Sequence, residues 1–452
     1  MLVGWATRWL GRLAGRAASS APGSLALRVD PQILRRLSSG FPRGTLMVTG
    51  TNGKTTTAMW VEAMLRADGW RVVRNRSGAN LLGGLTTALL ERASCTLEPR
   101  ADGAVLETDE ATVPRAAAET RPRVLAVTNF FRDQLDRYGE VTTTVSLVAR
   151  GIEALDPTAT LVLNADDPHV AFLGRGRANV LYYGLAWQAV TPADDDPGDA
   201  RFCPACGQGL EYTRRFYGHL GHWGCPACGF QRPVPTVTVE AVQDQPGRRT
   251  AVMDLGGERV EVSLTLPGAY NVYNAACAAA VGRAVGVHGL SMAEGFLSSR
   301  GAFGRMEAVA WQGQELRLAL VKNPAGFNQV LRAVAEDARP KQVVVAINDR
   351  YADGQDVSWL WDVDLETLAP RLHALHWYAA GLRAQDMAVR LKYAGVSPTR
   401  VEVVRGPALN ALARARQRVP EAVVYVLPTY TAMMEIRTGL ERAGAVRSFR
   451  EG

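Results

Sequence analysis

Lysine is almost missing from this chain: its 452 residues include four lysines among 51 basic side chains, and the others are arginine. The formal net charge of +7 is spread along the sequence. A nucleic-acid-binding protein is expected to cluster its basic residues on one face, so we expect no nucleic acid partner. The scarcity also gives weight to any lysine inside a motif, and Lys54 is one.

Long apolar runs are missing as well. No window of about 18 uncharged apolar residues occurs, so the sequence predicts no membrane-spanning helix. Arginines interrupt the apolar runs near the N-terminus, at Arg8, Arg12 and Arg16, whereas a signal peptide needs an uninterrupted run. We therefore expect a cytoplasmic protein that begins with an amphipathic lead-in helix.

Cysteine is rare and unevenly distributed. Four of the six cysteines form two close pairs with the spacing C-x2-C-x18-C-x2-C, namely Cys203, Cys206, Cys225 and Cys228. In a chain without a secretion signal, this pattern indicates a metal rather than disulfides. Four thiolates suit tetrahedral Zn²⁺, and a site closed by four protein ligands is structural. His219 and His222 lie between the pairs, and we interpret them as ordinary polar residues.

Apolar runs alternate with helical stretches over most of the chain. This alternation predicts an α/β fold with a parallel, doubly wound sheet. The first predicted strands are 44–49, 104–107, 123–128 and 160–163, and an alanine-rich helix is predicted at 274–286. The same alternation returns near the C-terminus, with strands predicted at 343–347, 375–379, 401–404 and 423–427.

Residues 50–56 (GTNGKTT) follow a predicted strand and open a predicted helix, as a phosphate-binding loop does. Its glycines let backbone N–H groups turn toward an anion, and the helix N-terminus adds partial positive charge. Lys54 supplies a cation for the β- and γ-phosphates, and Thr55 a hydroxyl for Mg²⁺. The predicted nucleotide-binding residues of this loop are Gly50, Thr51, Asn52, Gly53, Lys54, Thr55 and Thr56.

The longer string TGTNGKTTT at 49–57 resembles the nucleotide loop of the Mur ligases and folylpolyglutamate synthases. Those enzymes join an amine to a carboxylate through an acyl phosphate. The string LETDE at 106–110 is similar to their metal-binding strand end, and the resemblance implies that Glu107, or alternatively Glu110, binds Mg²⁺.

Two further strings carry the resemblance. The segment 270–274 (YNVYN) is similar to the family's asparagine pair, which implies that Asn271 and Asn274 lie on the adenine side, with helix capping as the alternative. Residues 304–307 match G-R-x-E, the start of the family's third domain, which implies that Arg305 approaches the phosphates.

The chain departs from the ordinary Mur ligases in three places. Residues 128–139 resemble the block T-N-x-x-x-D-H-L-D-x-H-G, but Gln134 and Tyr138 replace both histidines. Many Mur ligases carry a carbamoylated lysine soon after this block, whereas no lysine lies between Lys54 and Lys322 here. Residues 321–328 (VKNPAGFN) keep only Asn323 and Pro324 of the family's D-Y-A-H-N-P-like string. This change and the missing lysine disfavour an enzyme that adds a whole amino acid.

A zinc ribbon inserted into such an ATPase resembles the MurT branch of the family. The resemblance implies a lead-in segment at 1–43, a Mur-type ATP-binding domain at 44–300 with the ribbon at 200–232, and a C-terminal α/β domain at 301–452. It further implies ATP- and Mg²⁺-dependent amidation of the D-glutamate α-carboxyl of lipid II. The ammonia would come from a glutaminase subunit, GatD, and the enzyme would contact the inner membrane face.

The acidic segment 347–364 resembles the part of MurT that completes a Cys-His-Asp arrangement in the glutaminase. The resemblance implies Asp356 in this role, with Asp353 as the alternative. The chain's own spare cysteines, Cys95 and Cys277, lack the turn that a nucleophile needs, so ammonia must come from elsewhere.

Three other functions remain open at this point. The first is a Mur or folylpolyglutamate ligase that adds an amino acid. The second is a zinc-ribbon ATPase that binds nucleic acid, and the third is a regulatory subunit with an inactive ATP site.

Overall fold

The computed structural model describes residues 20–75, 78–94, 96–132, 140–192, 198–245, 248–264, 266, 268–299 and 305–446. The N-terminal helix predicted within residues 1–19 lies outside this range. The chain divides into two compact units. Unit 1 comprises Met1–Phe131, Glu140–Thr265 and Ala269–Arg300, and unit 2 comprises Arg132–Gly139, Leu266–Gly268 and Gly301–Gly452.

Unit 1 is built on strands that occur in this order along the chain: β1 (Thr45–Thr49), β2 (Val72–Arg74), β3 (Gly103–Glu107), β4 (Val124–Val127), β5 (Thr160–Asn164), β6 (Val180–Leu185), β7 (Glu211–Tyr217), β8 (Leu220–Gly224), β9 (Val237–Gln245), β10 (Arg248–Asp254) and β11 (Arg259–Leu264). Nine of them form one sheet in the order β11-β10-β9-β6-β5-β4-β1-β3-β2. From β9 to β2 the neighbours are parallel, and β10 and β11 add an antiparallel edge. The predicted parallel sheet is confirmed.

The helices of unit 1 are α1 (Ala21–Val29), α2 (Ile33–Ser39), α3 (Lys54–Ala67), α4 (Leu82–Glu91), α5 (Val113–Thr120), α6 (Val141–Glu153), α7 (Pro168–Phe172), α8 (Ala269–Val285) and α9 (Gly289–Ser298). Strands β1, β3 and β4 are buried along their whole length, as expected for parallel strands covered by helices on both faces. Leu34 and Leu37 of α2 belong to the same core as Leu106 and Leu125 of the sheet.

One predicted helix begins earlier than expected. The alanine-rich helix predicted at 274–286 is α8, which starts at Ala269. Gly268, with φ of 89°, directly precedes it, and a left-handed glycine is a natural boundary between a loop and a helix. Asn271 and Asn274 therefore both lie inside the helix.

Strands β7 and β8 form a separate antiparallel hairpin. The Trp223 indole N–H donates to the Ala165 carbonyl (3.1 Å), and His222 Nε2 lies 2.9 Å from the Leu185 carbonyl oxygen. Since Ala165 follows β5 and Leu185 ends β6, the hairpin packs at the carboxyl ends of these two strands.

Unit 2 is a second α/β layer structure. Its strands are β12 (Arg305–Trp311), β13 (Gln314–Ala319), β14 (Lys341–Ala346), β15 (Trp377–Ala380), β16 (Val401–Val403) and β17 (Val423–Pro428). Its helices are α10 (Pro324–Ala335), α11 (Leu365–Arg371), α12 (Ala384–Tyr393), α13 (Leu409–Arg418) and α14 (Tyr430–Arg442). The sheet order is β12-β13-β17-β14-β15-β16, and only β12 and β13 pair antiparallel among these described strands. The four strands predicted for this region are confirmed.

Over the described residues, none of the helices combines the length and the hydropathy required to cross a bilayer.

Candidate active site and metal centre

The turn between β1 and α3 has the geometry of an anion-binding loop. Gly50 and Gly53 have φ angles of 118° and 90°, which favour glycine. A Cβ on Gly53 would collide with the Asn274 side chain, and one on Gly50 would collide with Thr128. Helix α3 starts directly after the turn, at Lys54, so the unsatisfied N–H groups of its first turn lie at the loop.

Lys54 and Thr55 each meet a buried carboxylate. The Lys54 ammonium donates to Glu110 Oε2 (3.1 Å) and to the Gly50 carbonyl oxygen (2.5 Å). The Thr55 hydroxyl donates to Glu107 Oε1 (2.9 Å). Glu107 and Glu110 are only 3% and 6% exposed. The structure thus brings together the lysine, the hydroxyl and both predicted acidic residues, with Glu107 beside Thr55 and Glu110 beside Lys54.

Asn75 is a site residue absent from the sequence predictions. Its Oδ1 accepts from the Glu107 N–H (2.8 Å), and its Nδ2 donates to the Glu107 carbonyl (2.9 Å). It is fully buried and directly follows β2. A polar residue immediately after a buried parallel strand is the sequence signal that points to it.

Asn271 and Asn274 lie three residues apart on α8, and both are buried. Asn274 Nδ2 donates to Asn271 Oδ1 (3.1 Å), and the Asn274 side chain packs against Gly53. Helix capping does not describe this pair, because both residues lie within the helix. The structure places the pair at the phosphate loop.

Some predicted residues fall outside the described part of the chain. Arg305 opens β12, but its side chain is outside the described atoms, as are Gly304 and the 133–139 portion of the block at 128–139. Glu307, from the same G-R-x-E string as Arg305, accepts from Arg437 Nη1 (2.6 Å) within unit 2.

The four paired cysteines converge on one point. Sγ of Cys203 lies 3.7 Å from that of Cys228, Sγ of Cys206 lies 3.6 Å from that of Cys225, and all four sulfurs are within 4.8 Å of one another. Zinc–sulfur bonds of about 2.3 Å in a tetrahedron place the sulfurs about 3.8 Å apart. The cluster therefore fits a tetrahedral metal ion.

The close approach of the four thiols shifts their pKa values. Burial acts to raise the pKa of Cys225, but N–H groups of Cys228 and Ala227 donate to its sulfur, and the pKa falls to about 7. The Gln208 N–H acts to lower the pKa of Cys206, but burial and the neighbouring thiols raise it to about 12. Four thiols this close do not all ionise without a compensating cation, and a divalent metal supplies that charge.

His219 is not an ordinary polar side chain, so that prediction was wrong. It is only 1% exposed at the turn between β7 and β8, and its Nε2 lies 3.2 Å from Asp167 Oδ2. Sequence spacing carried no sign of this pairing, because Asp167 lies in a different element. His222 is only partly buried and lies beside the Leu185 carbonyl.

The two candidate aspartates of unit 2 occupy different environments. Asp353 is 5% exposed, and its carboxylate accepts from the N–H groups of Thr431 (2.7 Å) and Arg350 (3.2 Å). Asp356 is exposed, and the N–H and hydroxyl of Ser358 donate to it (2.8 and 2.9 Å) and lower its pKa. Asp353 thus fixes the start of α14, whereas Asp356 presents an ionised carboxylate at the surface.

Cys277 is fully buried in α8, as predicted for a packed helix residue. Burial raises the pKa of its thiol to about 12, so the thiol stays protonated at neutral pH and is unsuited to be a nucleophile. Cys95 lies outside the described residues.

Comparison with known proteins points to one family. The Mur ligase middle domain model matches residues 48–197, and the MurT ligase C-terminal model matches residues 320–433. The MurT subunit of lipid II isoglutaminyl synthase (glutamine-hydrolyzing) from Staphylococcus aureus (strain COL) is 31% identical over 433 residues, which cover 96% of this chain and 95% of that protein. This chain belongs to the MurT family.

A second MurT subunit, from Streptococcus pneumoniae (strain ATCC BAA-255 / R6), is 31% identical over 465 residues, covering 97% of this chain and 98% of that one. Solved structures agree on the fold. A pseudomurein peptide ligase type C from Methanothermus fervidus has a TM-score of 0.67 at 24% identity, covering 88% of this chain and 78% of its own. The MurF ligase from Thermotoga maritima in complex with ADP has a TM-score of 0.64 at 16% identity, covering 92% of this chain and 84% of that one.

The two family models divide the site residues of this MurT-family chain. The middle-domain match covers Lys54, Thr55 and Glu107, and the MurT C-terminal match covers Asp353 and Asp356. The cysteine pairs begin after the middle-domain match ends at residue 197. As a member of the MurT family, the chain is a ligase with a Mur-type α/β fold.

Proposed function

We propose that this chain uses ATP to amidate the α-carboxyl of D-glutamate in lipid II, giving D-isoglutamine, with ammonia from a glutaminase partner of the GatD kind. The curated relatives are named as subunits of a glutamine-hydrolysing lipid II isoglutaminyl synthase. The observation that carries the proposal is the meeting of Lys54 and Thr55 with two buried carboxylates at the start of one helix.

The loop at 50–56 is proposed to hold the triphosphate of ATP. In support, the Thermotoga maritima MurF with the same fold was solved in complex with ADP. The helix N-terminus and the Lys54 ammonium would attract the phosphates. Thr55 and Glu107 are the proposed Mg²⁺ ligands, with Glu110 as the alternative, and a bound Mg²⁺ would polarise the phosphoryl oxygens. The buried asparagines of α8 are the proposed adenine-side contacts, and the family resemblance implies a phosphate-binding role for Arg305.

The chemistry proceeds in two steps. An oxygen of the substrate carboxylate attacks the γ-phosphorus of ATP, the bond to the ADP oxygen breaks, and an acyl phosphate forms. Ammonia then attacks the acyl carbon, phosphate leaves with the electron pair of the C–O bond, and loss of a proton gives the amide. Lys54 neutralises negative charge on the phosphoryl group as it is transferred, so its role is to position this group and to stabilise its charge.

The cysteine cluster is proposed to bind one Zn²⁺ in a structural role. Its four sulfurs match the spacing of a tetrahedral site. With four protein ligands the metal has no open position for substrate, so the ion would stabilise the β7–β8 module without entering the reaction.

Ammonia is proposed to come from the partner glutaminase, with Asp356 completing its Cys-His-Asp arrangement. Asp356 is exposed and ionised, whereas the Asp353 carboxylate is buried against Thr431. These environments favour Asp356, with Asp353 as the alternative.

Because the lipid tail of the proposed substrate is held in the membrane, the enzyme would act at the cytoplasmic face of that membrane. We propose peripheral contact assisted by the arginine-rich residues 1–20, since basic segments are attracted to anionic lipids. Deleting residues 1–20 is expected to lower activity on lipid II in vesicles. Unchanged activity would contradict this role.

The decisive experiment incubates the full chain and its glutaminase with lipid II, glutamine and ATP, and follows ADP release and the mass of lipid II. Lys54→Ala is expected to lose amidation by at least about a hundredfold. Lys392→Ala, which alters an exposed lysine of α12, is the matched control and should keep full activity. Amide formation without ATP consumption would overturn the proposal, and addition of a whole amino acid would favour the amino-acid ligase alternative.

A further inference from the structure

The turn of the β7–β8 hairpin packs beside the segment that follows β4. The Phe131 ring stacks on Tyr217 with centroids 4.7 Å apart, and the centroid of the His219 ring lies 4.5 Å from it. Gly218, at φ of 54°, leaves no room for a side chain because a Cβ there would approach Phe131 at 2.8 Å. The hairpin turn and the Phe131 segment therefore fit closely.

Asp167 connects His219 to the same segment. Asp167 is completely buried, and its Oδ2, which faces His219, also accepts from the Phe130 N–H (2.9 Å). Its Oδ1 accepts from the N–H groups of His169 (2.9 Å) and Val170 (3.2 Å) and so caps α7. Burial acts to raise the pKa of Asp167, but His219, His169 and the Phe130 N–H together outweigh it and the pKa is lowered.

The Phe130–Phe131 segment in turn holds the phosphate loop. The Phe131 N–H donates to Thr51 Oγ1 (3.0 Å), and that hydroxyl lies 3.2 Å from the Phe131 carbonyl oxygen, to which it donates. The Thr51 N–H donates to the Asn129 carbonyl (2.8 Å), and the Asn52 N–H to Asn129 Oδ1 (3.0 Å). Loop residues 51 and 52 are thus fixed by the chain that Asp167 anchors.

We propose that His219 is a positioning residue for the phosphate loop, acting through Asp167 and the Phe130–Phe131 segment on Thr51. Through this connection, the β7–β8 hairpin holds the loop at 50–56 in the geometry in which a nucleotide binds. This inference rests on the proposed nucleotide site.

The physical argument is the cost of the buried pair. An imidazole and a carboxylate that are 1% and 0% exposed are expensive to desolvate, and a hairpin that only filled space would need apolar contacts alone. The pair also connects the hairpin to the loop segment, because the Asp167 oxygen that lies 3.2 Å from His219 Nε2 accepts from the Phe130 N–H. Loss of the imidazole leaves that carboxylate buried with fewer partners and free to shift.

The test compares His219→Leu, His219→Gln and His222→Leu in the full chain. The dissociation constant of Mg-ATP is measured by calorimetry, together with zinc content and melting temperature. His219→Leu is expected to weaken ATP binding about five- to tenfold with zinc retained, and His219→Gln, which keeps an N–H donor, to recover most of it. His222→Leu changes the same hairpin away from Phe131 and should leave ATP affinity unchanged.

Equal ATP affinity in wild type and both His219 variants would refute the positioning role while leaving the nucleotide site intact. Absence of ATP binding by the wild type would instead refute the proposed function, and this inference with it. If His219→Leu does not fold, His219→Phe, which keeps a ring beside Phe131 but has no N–H donor, decides through hydrogen exchange of amides 50–53. Faster exchange supports the proposal, and unchanged exchange contradicts it.

Discussion

Gly53, in the loop at 50–56, packs against the side chain of Asn274 in helix α8. Its φ of 90° costs an alanine about 1–2 kcal/mol, and a Cβ would also displace Asn274. Gly53→Ala is expected to weaken Mg-ATP binding at least about tenfold, or about 1.4 kcal/mol, because the collision forces the loop or Asn274 to move. Calorimetric titration of the full chain measures this.

Gly69 offers the matched control for this substitution. It follows α3 with φ of 83°, and no atom lies within 4 Å of the place its Cβ would take. Gly69→Ala carries the same backbone strain without the collision, so it should lower the melting temperature but keep ATP affinity. Equal affinities in the two variants would show that the fit between Gly53 and Asn274 is irrelevant to binding.

The two aspartates of unit 2 separate a partner role from a folding role. Asp356→Asn is expected to abolish glutamine-driven amidation, by about a hundredfold or more, yet retain amidation driven by added ammonium, because the ATP site is untouched. Asp353→Asn is expected to destabilise the chain by about 1–3 kcal/mol, since its buried carboxylate accepts from Thr431. Parallel assays with glutamine and with ammonium, plus melting curves, measure both. Loss of the ammonium-driven reaction in Asp356→Asn would contradict the assignment.

The local strings of the site could be predicted from the sequence, and the long-range pairs could not. Lys54 and Thr55 sit in one loop, and a helix start after a buried strand is visible in the residue order. The pairing of Lys54 with Glu110, 56 residues away, depends on the order of strands in the sheet. The burial of His219 against Asp167 was missed for the same reason.

Among the elements, we expect the β7–β8 hairpin to depend most on a bound ion. The segment 198–232 joins two cysteine turns around two short strands, too small a unit to stabilise itself by burial. Chelation, or Cys225→Ser, is expected to release one zinc per chain and lower the melting temperature by about 5 °C or more. Metal analysis and calorimetry measure the two effects.

Cys277→Ser provides the control for metal content, because Cys277 is a buried cysteine of α8 outside the cluster. It should keep one zinc per chain even if it is less stable. A Cys225→Ser variant that retained a full equivalent of zinc would show that the ion, if any, is bound elsewhere.

Strands were predicted well because parallel strands buried on both faces are short apolar runs, as β1, β4 and β14 are. The start of one helix, α8, was predicted less well. The helix starts directly after Gly268. The polar residues Asn271 and Asn274 interrupt the apolar pattern near that start, so the sequence did not indicate a buried helix there, although both residues are buried. Burial of polar side chains is a tertiary property that residue order alone does not reveal.

Across the whole molecule, acid is expected to reduce stability through carboxylates that are paired in the folded state. Burial acts to raise the pKa of Asp337, but hydrogen bonds from Arg339 and Tyr425 outweigh it and lower the pKa far below its usual value. Burial also acts to raise the pKa of Glu315, but hydrogen bonds from Arg339 and Arg317 outweigh it and lower that pKa. A depressed folded-state pKa contributes stability that is present above the unfolded value, about 4, and is lost as the pH falls below it.

Unfolding in urea at about pH 6 and pH 3 tests this sign. The wild type is expected to lose stability on acidification, and Arg339→Gln to lose about 1 kcal/mol less, because Arg339 is about half exposed and water screens the pairs. Arg414→Gln, which removes an exposed arginine 3.8 Å from Glu402, is the control and should follow the wild type. Identical acid sensitivity in wild type and Arg339→Gln would mean that the Arg339 cluster contributes nothing to pH-dependent stability, and that other carboxylates determine it.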